Sequence, residues 1–319
     1  MKKLLLPIII LLIILFFVVR GFWNSQLSPV STDQTAIIFV VDKGEGFSKV
    51  TDDLKKAKLI KSSLAFMILG KQSGLDSKVL AGTFRLSPSF SARDILKALS
   101  SQPLDNWVTL IEGWRVEEMA AKLSSELGVS SSEFLKIAKE GYMFPDTYLF
   151  PKDYSVSQIV EKLQNTFDQK YSDELKSKIK KLGLTEKEGV ILASIVEREA
   201  RSDKAREDVA SILLKRLKIG MGLNTDANIQ YILGYQPSEK SWWKRHLTRD
   251  DLKTPSPYNT YLHSGLPPTP ICNPSLGSLT AVANADSSTP YLYYIHDSKG
   301  VPHYGKTLEE HNQNVANYP

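Results

Sequence analysis

From Leu4 to Val19 the chain carries no charged or hydrogen-bonding side chain, and Lys2 and Lys3 stand immediately before this run. An apolar stretch of that length offers no polar side to water, so it cannot be the surface helix of a soluble domain. Continued through Arg20, Gly21, Phe22 and Trp23, it spans about 30 Å as a helix, which is the depth of a bilayer core. Arg20 near the far end can extend its charge toward water, and Trp23 suits the interface. A cleaved signal peptide is the alternative, but Gly21-Phe22-Trp23-Asn24-Ser25 offers no small-residue cleavage site and no cysteine follows for lipid attachment. The run therefore predicts a cytoplasmic tail at 1–3 and a single transmembrane anchor at 4–23. The lysines on the short side, against no Lys or Arg from Asn24 to Gln34, orient the amino terminus to the cytoplasm. Nearly all of the chain then lies outside the cytoplasmic (inner) membrane, where the envelope is what an anchored protein meets.

Composition narrows what that exported part is. With 319 residues, 42% hydrophobic and 24% charged, the chain is neither disordered nor a multi-span membrane protein. At roughly 100–200 residues per domain, it holds about two folded units. The single cysteine, Cys272, excludes an internal disulfide framework and every Cys-based zinc site. A net charge of +5, from 40 basic and 35 acidic residues, gives no reason to expect nucleic acid. His246, His263, His296, His303 and His311 show no ligand spacing, and no Walker, dinucleotide or G-x-S-x-G pattern is present. No metal and no cofactor is expected.

Turn and period signals divide the exported part. Residues 24–36 are polar with Pro29 and read as a linker. Residues 37–104 alternate a strand at Ala36–Val41, helices at Phe47–Leu59 and Ser63–Leu69, a strand at Gly82–Ser87 and a helix at Ser91–Leu99, which makes a small α+β module. Residues 105–319 form a larger mixed α/β domain. It opens with a strand at Val108–Ile111 and a helix at Val116–Leu127, then a turn-rich aromatic segment at Gly141–Phe150 read as a structural elbow. Ser155–Leu182 reads as one long amphipathic helix. Trp242-Trp243-Lys244-Arg245-His246 reads as a loop packed on its own domain. The runs Thr254–Tyr261 and Gly265–Pro274 are too rich in Pro and Gly for regular structure, and so form long ordered loops.

The most informative segment is Glu186–Arg201. On a helix of 3.6 residues per turn, Ile191, Leu192, Ile195 and Val196 form an apolar stripe, and Glu199 falls within it. Glu197 points the other way and reads as a solvated residue. An acid on a core face must be paired, protonated or set in a cleft. Two readings stay open on the residues alone. One is a buried ion pair with Arg206 or Arg216. The other is a general acid whose pKa is raised by apolar walls, as cleavage of a glycosidic bond requires. Thr225 or Asp226 reads by default as a helix cap, with sugar contacts as the alternative.

Several ordered strings match one known family. Ala193-Ser194-Ile195-Val196-Glu197-Arg198-Glu199-Ala200, Arg216–Met221, Leu223-Asn224-Thr225-Asp226, Thr254–Tyr261 and Gly265-Leu266-Pro267-Pro268 resemble the YceG-like, or endolytic murein transglycosylase, family. Gly141–Tyr148 fits it too, and the module at 37–104 resembles its LysM-like subdomain. Two departures stand out: Cys272 sits where a small residue is expected, and His303–Thr307 is compressed by about one residue.

The resemblance implies a bitopic membrane enzyme, a lytic transglycosylase cleaving the MurNAc-β-1,4-GlcNAc bond within peptidoglycan strands to leave 1,6-anhydroMurNAc ends. Its catalytic glutamate corresponds to Glu199, with Thr225, Asp226, Tyr258, Asn259 and Tyr261 as candidate substrate contacts. Strand termination beside peptidoglycan synthases (penicillin-binding proteins) is a further expectation. The alternatives are a non-catalytic peptidoglycan-binding envelope protein, or a hydrolytic muramidase that would need Asp226 or another acid.

Overall fold

The structure, a computed structural model, describes residues 2–101, 103–151 and 154–318, with side chains from Leu11 onward apart from Leu12. The chain forms two compact units, Met1–Val108 with Leu149–Asp153, and Thr109–Tyr148 with Tyr154–Pro319.

The first unit begins with helix α1 (Lys2–Leu27). Helix continues through residues 24–27, where a linker is expected, because Leu27 is buried and Trp23 packs partly against the unit's core. Farther along α1, Phe16, Phe17, Val18, Val19 and Phe22 are all exposed. Among the described residues no helix is long and apolar enough to cross a membrane. The side chains of 4–10 and 12, half of the expected anchor's apolar run, lie outside those described.

Strand β1 (Ile37–Val41), helices α2 (Phe47–Lys56) and α3 (Ser63–Ser73), strand β2 (Gly82–Leu86), helix α4 (Ala92–Leu99) and strand β3 (Asp105–Thr109) follow. The starts of α3 and α4 have a local cause. Ser62 caps α3 through Ala65 N–H, and αL Gly74 ends it. Ser91 and Asp94 form a capping box on α4. β1 and β2 pair antiparallel from Ile37 with Leu86 to Val41 with Gly82. Val50, Leu54, Phe66, Phe84, Ile95 and Leu99 fill the core beneath them.

The second unit carries α5 (Val116–Leu127) and α6 (Ser131–Ile137), and β4 (Thr147–Pro151) returns from it to complete a sheet in the order β1-β2-β3-β4. The elbow expected at Gly141–Phe150 is a turn leading into β4, with Phe144, Tyr148 and Phe150 buried. Gly141 is required there. Its φ is +87°, and a Cβ would meet Pro270 at 2.4 Å.

The helix expected at Ser155–Leu182 is two, α7 (Val156–Lys170) and α8 (Asp173–Lys181). Ser172 caps α8 through Leu175 N–H, and Tyr171 between them is buried with its hydroxyl donating to Glu186 C=O at 3.1 Å. The central helices α9 (Glu186–Glu199) and α10 (Asp203–Lys218) follow, then α11 (Asp226–Leu233), α12 (Leu276–Ala283), a hairpin of β5 (Tyr293–His296) and β6 (Pro302–Gly305), and α13 (Leu308–Asn317). The hairpin is antiparallel, Tyr294 facing Tyr304 across it.

Between α11 and α12 runs the expected ordered loop. It contains one short 3-10 turn at Asp251–Lys253. Trp243 in its first part is buried, donating from Nε1 to Glu118 at 3.1 Å beneath the Arg198 guanidinium.

Candidate active site

Helix α9 starts at a capping box between Thr185 and Glu188. From Gly189 to Val196 every residue is buried, because α8, α10, α11 and α12 all pack on this helix. Gly189 makes that approach possible, since a Cβ there would stand 2.7 Å from Ile179. The helix stops at Glu199, with Ala200 already extended. The last turn thus holds its side chains at fixed points.

Glu199 is partly exposed and faces a cavity of about 410 Å³. Arg216, Asn224, Asp226, Tyr261, Tyr294 and His296 stand around it. The Tyr294 hydroxyl donates to Glu199 Oε2 at 3.0 Å. Burial raises the Glu199 pKa to about 7, against the hydrogen bond from Tyr294, which lowers it; the Asp226 charge adds to the rise, and the Ala227 N–H opposes it. Burial also pushes the Tyr294 hydroxyl well above its ordinary pKa, with the Glu199 charge next, so it stays a donor.

Neither arginine considered as a partner pairs with Glu199. Arg206 Nη2 lies 3.3 Å from Glu197, and Arg216 is held by the carbonyls of Leu292 at 2.7 Å and Leu223 at 2.6 Å. Among the described residues Glu199 forms no ion pair. What remains is a carboxyl near neutrality, walled by aromatic rings and open on one side, able to give and take a proton at neutral pH.

Glu197 corrects the sequence reading. It is not solvated: its side chain is 5% exposed. Oε2 accepts from Ser275 N at 2.9 Å, Ser275 Oγ at 2.5 Å and Ser278 Oγ at 2.7 Å. The helical period located the face opposite the apolar stripe correctly, but that face meets α12 and not water.

The other expected site residues divide. Asp226 and Tyr261 both line the cavity, and the Tyr261 hydroxyl donates to Asp226 Oδ1 at 2.6 Å. Asp226 opens α11, and Thr225 precedes it as the cap residue without a capping side-chain bond. Thr225 is buried, with Oγ1 donating to Asn228 Oδ1 at 2.7 Å. Asn259 is fully buried, donating from Nδ2 to the carbonyls of Leu252 and Thr254 and accepting from Tyr261 N. The Tyr258 hydroxyl is 2.7 Å from Thr269 Oγ1. Thr225, Tyr258 and Asn259 hold the loop that presents Tyr261, and none of the three lines the cavity. Cys272 is buried, its thiol 3.2 Å from Ser194 C=O in the core beneath α9.

Sequence reasoning missed Tyr294 and His296. A signal was available: runs rich in Tyr, Ile and Val on either side of Asp297-Ser298-Lys299-Gly300 form a hairpin pattern. No group of His, Cys, Asp and Glu among the described residues could hold a metal ion.

Comparison with known proteins bears on the whole of this arrangement. An endolytic murein transglycosylase of Bacillus subtilis (strain 168) is 29% identical over 93% of this chain and 89% of its own length. One from Streptococcus pneumoniae serotype 2 (strain D39) is 26% identical over 92% of this chain and 60% of its own. The crystal structure of a putative YceG-like protein from Listeria monocytogenes superposes with a TM-score of 0.58 at 26% identity, covering 88% of this chain and 99% of that one. A model of the YceG-like family matches residues 39–317, which takes in α9, the loop before α12 and the hairpin beside Glu199. With that match running from the first strand to the last helix, the chain belongs to the YceG-like family.

Proposed function

We propose that this protein is an endolytic peptidoglycan lytic transglycosylase in which Glu199 is the acid and then the base. The observation that carries the reading is a carboxyl in no ion pair among the described residues, with a pKa near 7, at the wall of a cavity rich in aromatic rings. The endolytic murein transglycosylases similar to this chain support the substrate class. Protonated Glu199 gives its proton to the glycosidic oxygen as the bond to the muramyl anomeric carbon breaks. The carboxylate left behind takes the proton of the same sugar's 6-hydroxyl, whose oxygen closes on that carbon. The product is a 1,6-anhydro end, Glu199 regains its proton, and no water is consumed. Tyr294 orients the carboxyl and, as a donor, stabilises its anionic form between the two transfers.

Asp226 in the same cavity supports a second reading, a hydrolytic muramidase with two carboxylates. One measurement separates them. The protein incubated with purified glycan strands is expected to leave ends lighter by one water than hydrolysed ends, and Glu199→Gln to abolish them. Hydrolysed ends would support the muramidase, and retention of unshortened strands would support a binding protein.

The same proposal places the chain in the cytoplasmic membrane through 4–23, amino terminus inside. The apolar run from Leu4 to Val19 and the exposed Phe16, Phe17, Val18 and Val19 support it. From there the enzyme terminates nascent strands beside their synthases. Loss of membrane fractionation on deleting 4–23 tests the anchor.

A further inference from the structure

Glu199 and His296 line a second cavity as well, of about 240 Å³, completed by Arg198, Arg201, Asp297 and Ser298. The two cavities meet at the acid, so a polymer with its scissile bond at Glu199 has groups on both sides. Their chemistry differs. The larger is walled by tyrosines, suited to sugar faces, and the smaller is flanked by two guanidinium groups.

Neither guanidinium group has a counter-charge among the described residues, although Arg198 Nη1 donates to Gly113 C=O at 3.5 Å. Among the described residues the arginines in ion pairs are Arg115 and Arg206, and Arg198 and Arg201 are in none. Arg198 stacks 3.8 Å over the Trp243 ring, and its Nε is buried without a hydrogen-bond partner. His296 Nε2 is buried without one too. The cavity's own Asp297 does not satisfy them: Oδ1 accepts from Lys299 N at 2.9 Å and Val301 N at 2.8 Å, and Oδ2 faces His303 Nε2 at 3.3 Å. Two guanidinium groups without a counter-charge, beside two buried nitrogens without a hydrogen-bond partner, suit an anion.

We propose that this smaller cavity is a carboxylate subsite, which receives the acidic group borne on the lactyl branch of the muramyl residue at Glu199. The inference rests on the transglycosylase reading above. N-acetylglucosamine is neutral, so a carboxylate subsite beside the acid distinguishes the muramyl unit and sets the register of cleavage along an alternating strand. The carboxylate has two possible sources, the lactyl group itself on strands freed of peptide, and the acidic residues of an attached peptide stem.

Four strand preparations test it with the full-length protein in detergent: peptide-free strands, the same strands with the lactyl carboxylate amidated, stem-bearing strands, and stem-bearing strands with amidated carboxylates. Amidation is expected to raise KM about tenfold in the pair whose carboxylate is bound. In Arg201→Gln that ratio is expected to fall to about one, and in Arg201→Lys to recover in part. Arg201 is exposed, so these substitutions spare the fold. An effect confined to the peptide-free pair assigns the lactyl group, and one confined to the stem-bearing pair assigns the stem. No amidation effect in either pair, or one that survives in Arg201→Gln, overturns the subsite. Failure of the unsubstituted protein to cleave any of the four overturns the transglycosylase reading instead.

Discussion

Glu197 and Ser275 clamp two helices together: one carboxylate oxygen accepts both the backbone N–H and the hydroxyl of Ser275, the cap residue of α12. The contact fixes the last turn of α9 against the first turn of α12, two residues from Glu199. It also places a negative charge at a helix N-terminus and beside Arg206.

Glu197→Gln is therefore expected to destabilise the fold. The amide keeps one oxygen for the serines but sets an NH2, itself a donor, against Arg206, which also loses its buried counter-charge. A loss of about 2 kcal/mol is expected, in the range for charged hydrogen bonds. A thermal melt of the variant superimposable on the wild type would contradict the clamp.

The raised pKa of Glu199 makes stability depend on pH in a defined direction. Folded, the group titrates near 7, and its ordinary value is 4.5. Below pH 4.5 both folded and unfolded chains hold the proton and nothing is lost. Between pH 4.5 and 7 the unfolded chain ionises while the folded chain still holds its proton, so stability falls across that window and levels off above it. The loss is on the order of 3 kcal/mol by pH 9. Glu140, raised to about 8 chiefly by burial, acts with the same sign, so the difference between wild type and Glu199→Gln isolates Glu199. The variant is expected to match the wild type at pH 4 and to exceed it at pH 9. Denaturant midpoints at the two pH values measure this, and a constant difference would refute it.

Tyr294→Phe removes the hydrogen bond that opposes burial at Glu199. The acid is expected to hold its proton to still higher pH, moving the alkaline limb of kcat/KM upward. The rate near pH 6 is expected to fall about tenfold as the carboxylate loses its donor. A lower rate with the limb unmoved would assign Tyr294 to packing alone.

Asn273 closes the loop before α12 over the turn at Gly141. Its Oδ1 accepts from Gly141 N and Met143 N, both at 2.9 Å, and its Nδ2 donates to Trp114 C=O at 3.0 Å and Glu140 at 2.9 Å. Asn273→Ala strands these buried groups and is expected to cost about 3 kcal/mol. A shift in melting temperature reports it, and unchanged melting would show that water replaces the amide.

Legibility in the sequence followed the range of the interaction. The position of Glu199 within an apolar stripe was readable, because it depends on neighbours within two helical turns. The role of Glu197 was not, since periodicity gives a face and says nothing of which element covers it. The break between α7 and α8 was encoded locally, in Ser172 as a cap followed by Asp173 and Glu174, and was overridden by the length of the amphipathic pattern. Asp226 and Tyr261 reach the cavity while Thr225 and Asn259 do not, although all four lie in matching strings. Side-chain direction in irregular loops has no period to read. Tyr294 meets Glu199 from 95 residues away, a separation at which sequence alone carries no pairing rule.

The hairpin that supplies Tyr294 and His296 is the last sheet structure along the chain. Until synthesis reaches it, α9 can be complete and yet Glu199 lacks the wall and the hydroxyl donor that the hairpin supplies. The site around the acid is thus closed late, by docking of a distant ribbon, and an unfinished chain carries the residue without its finished setting.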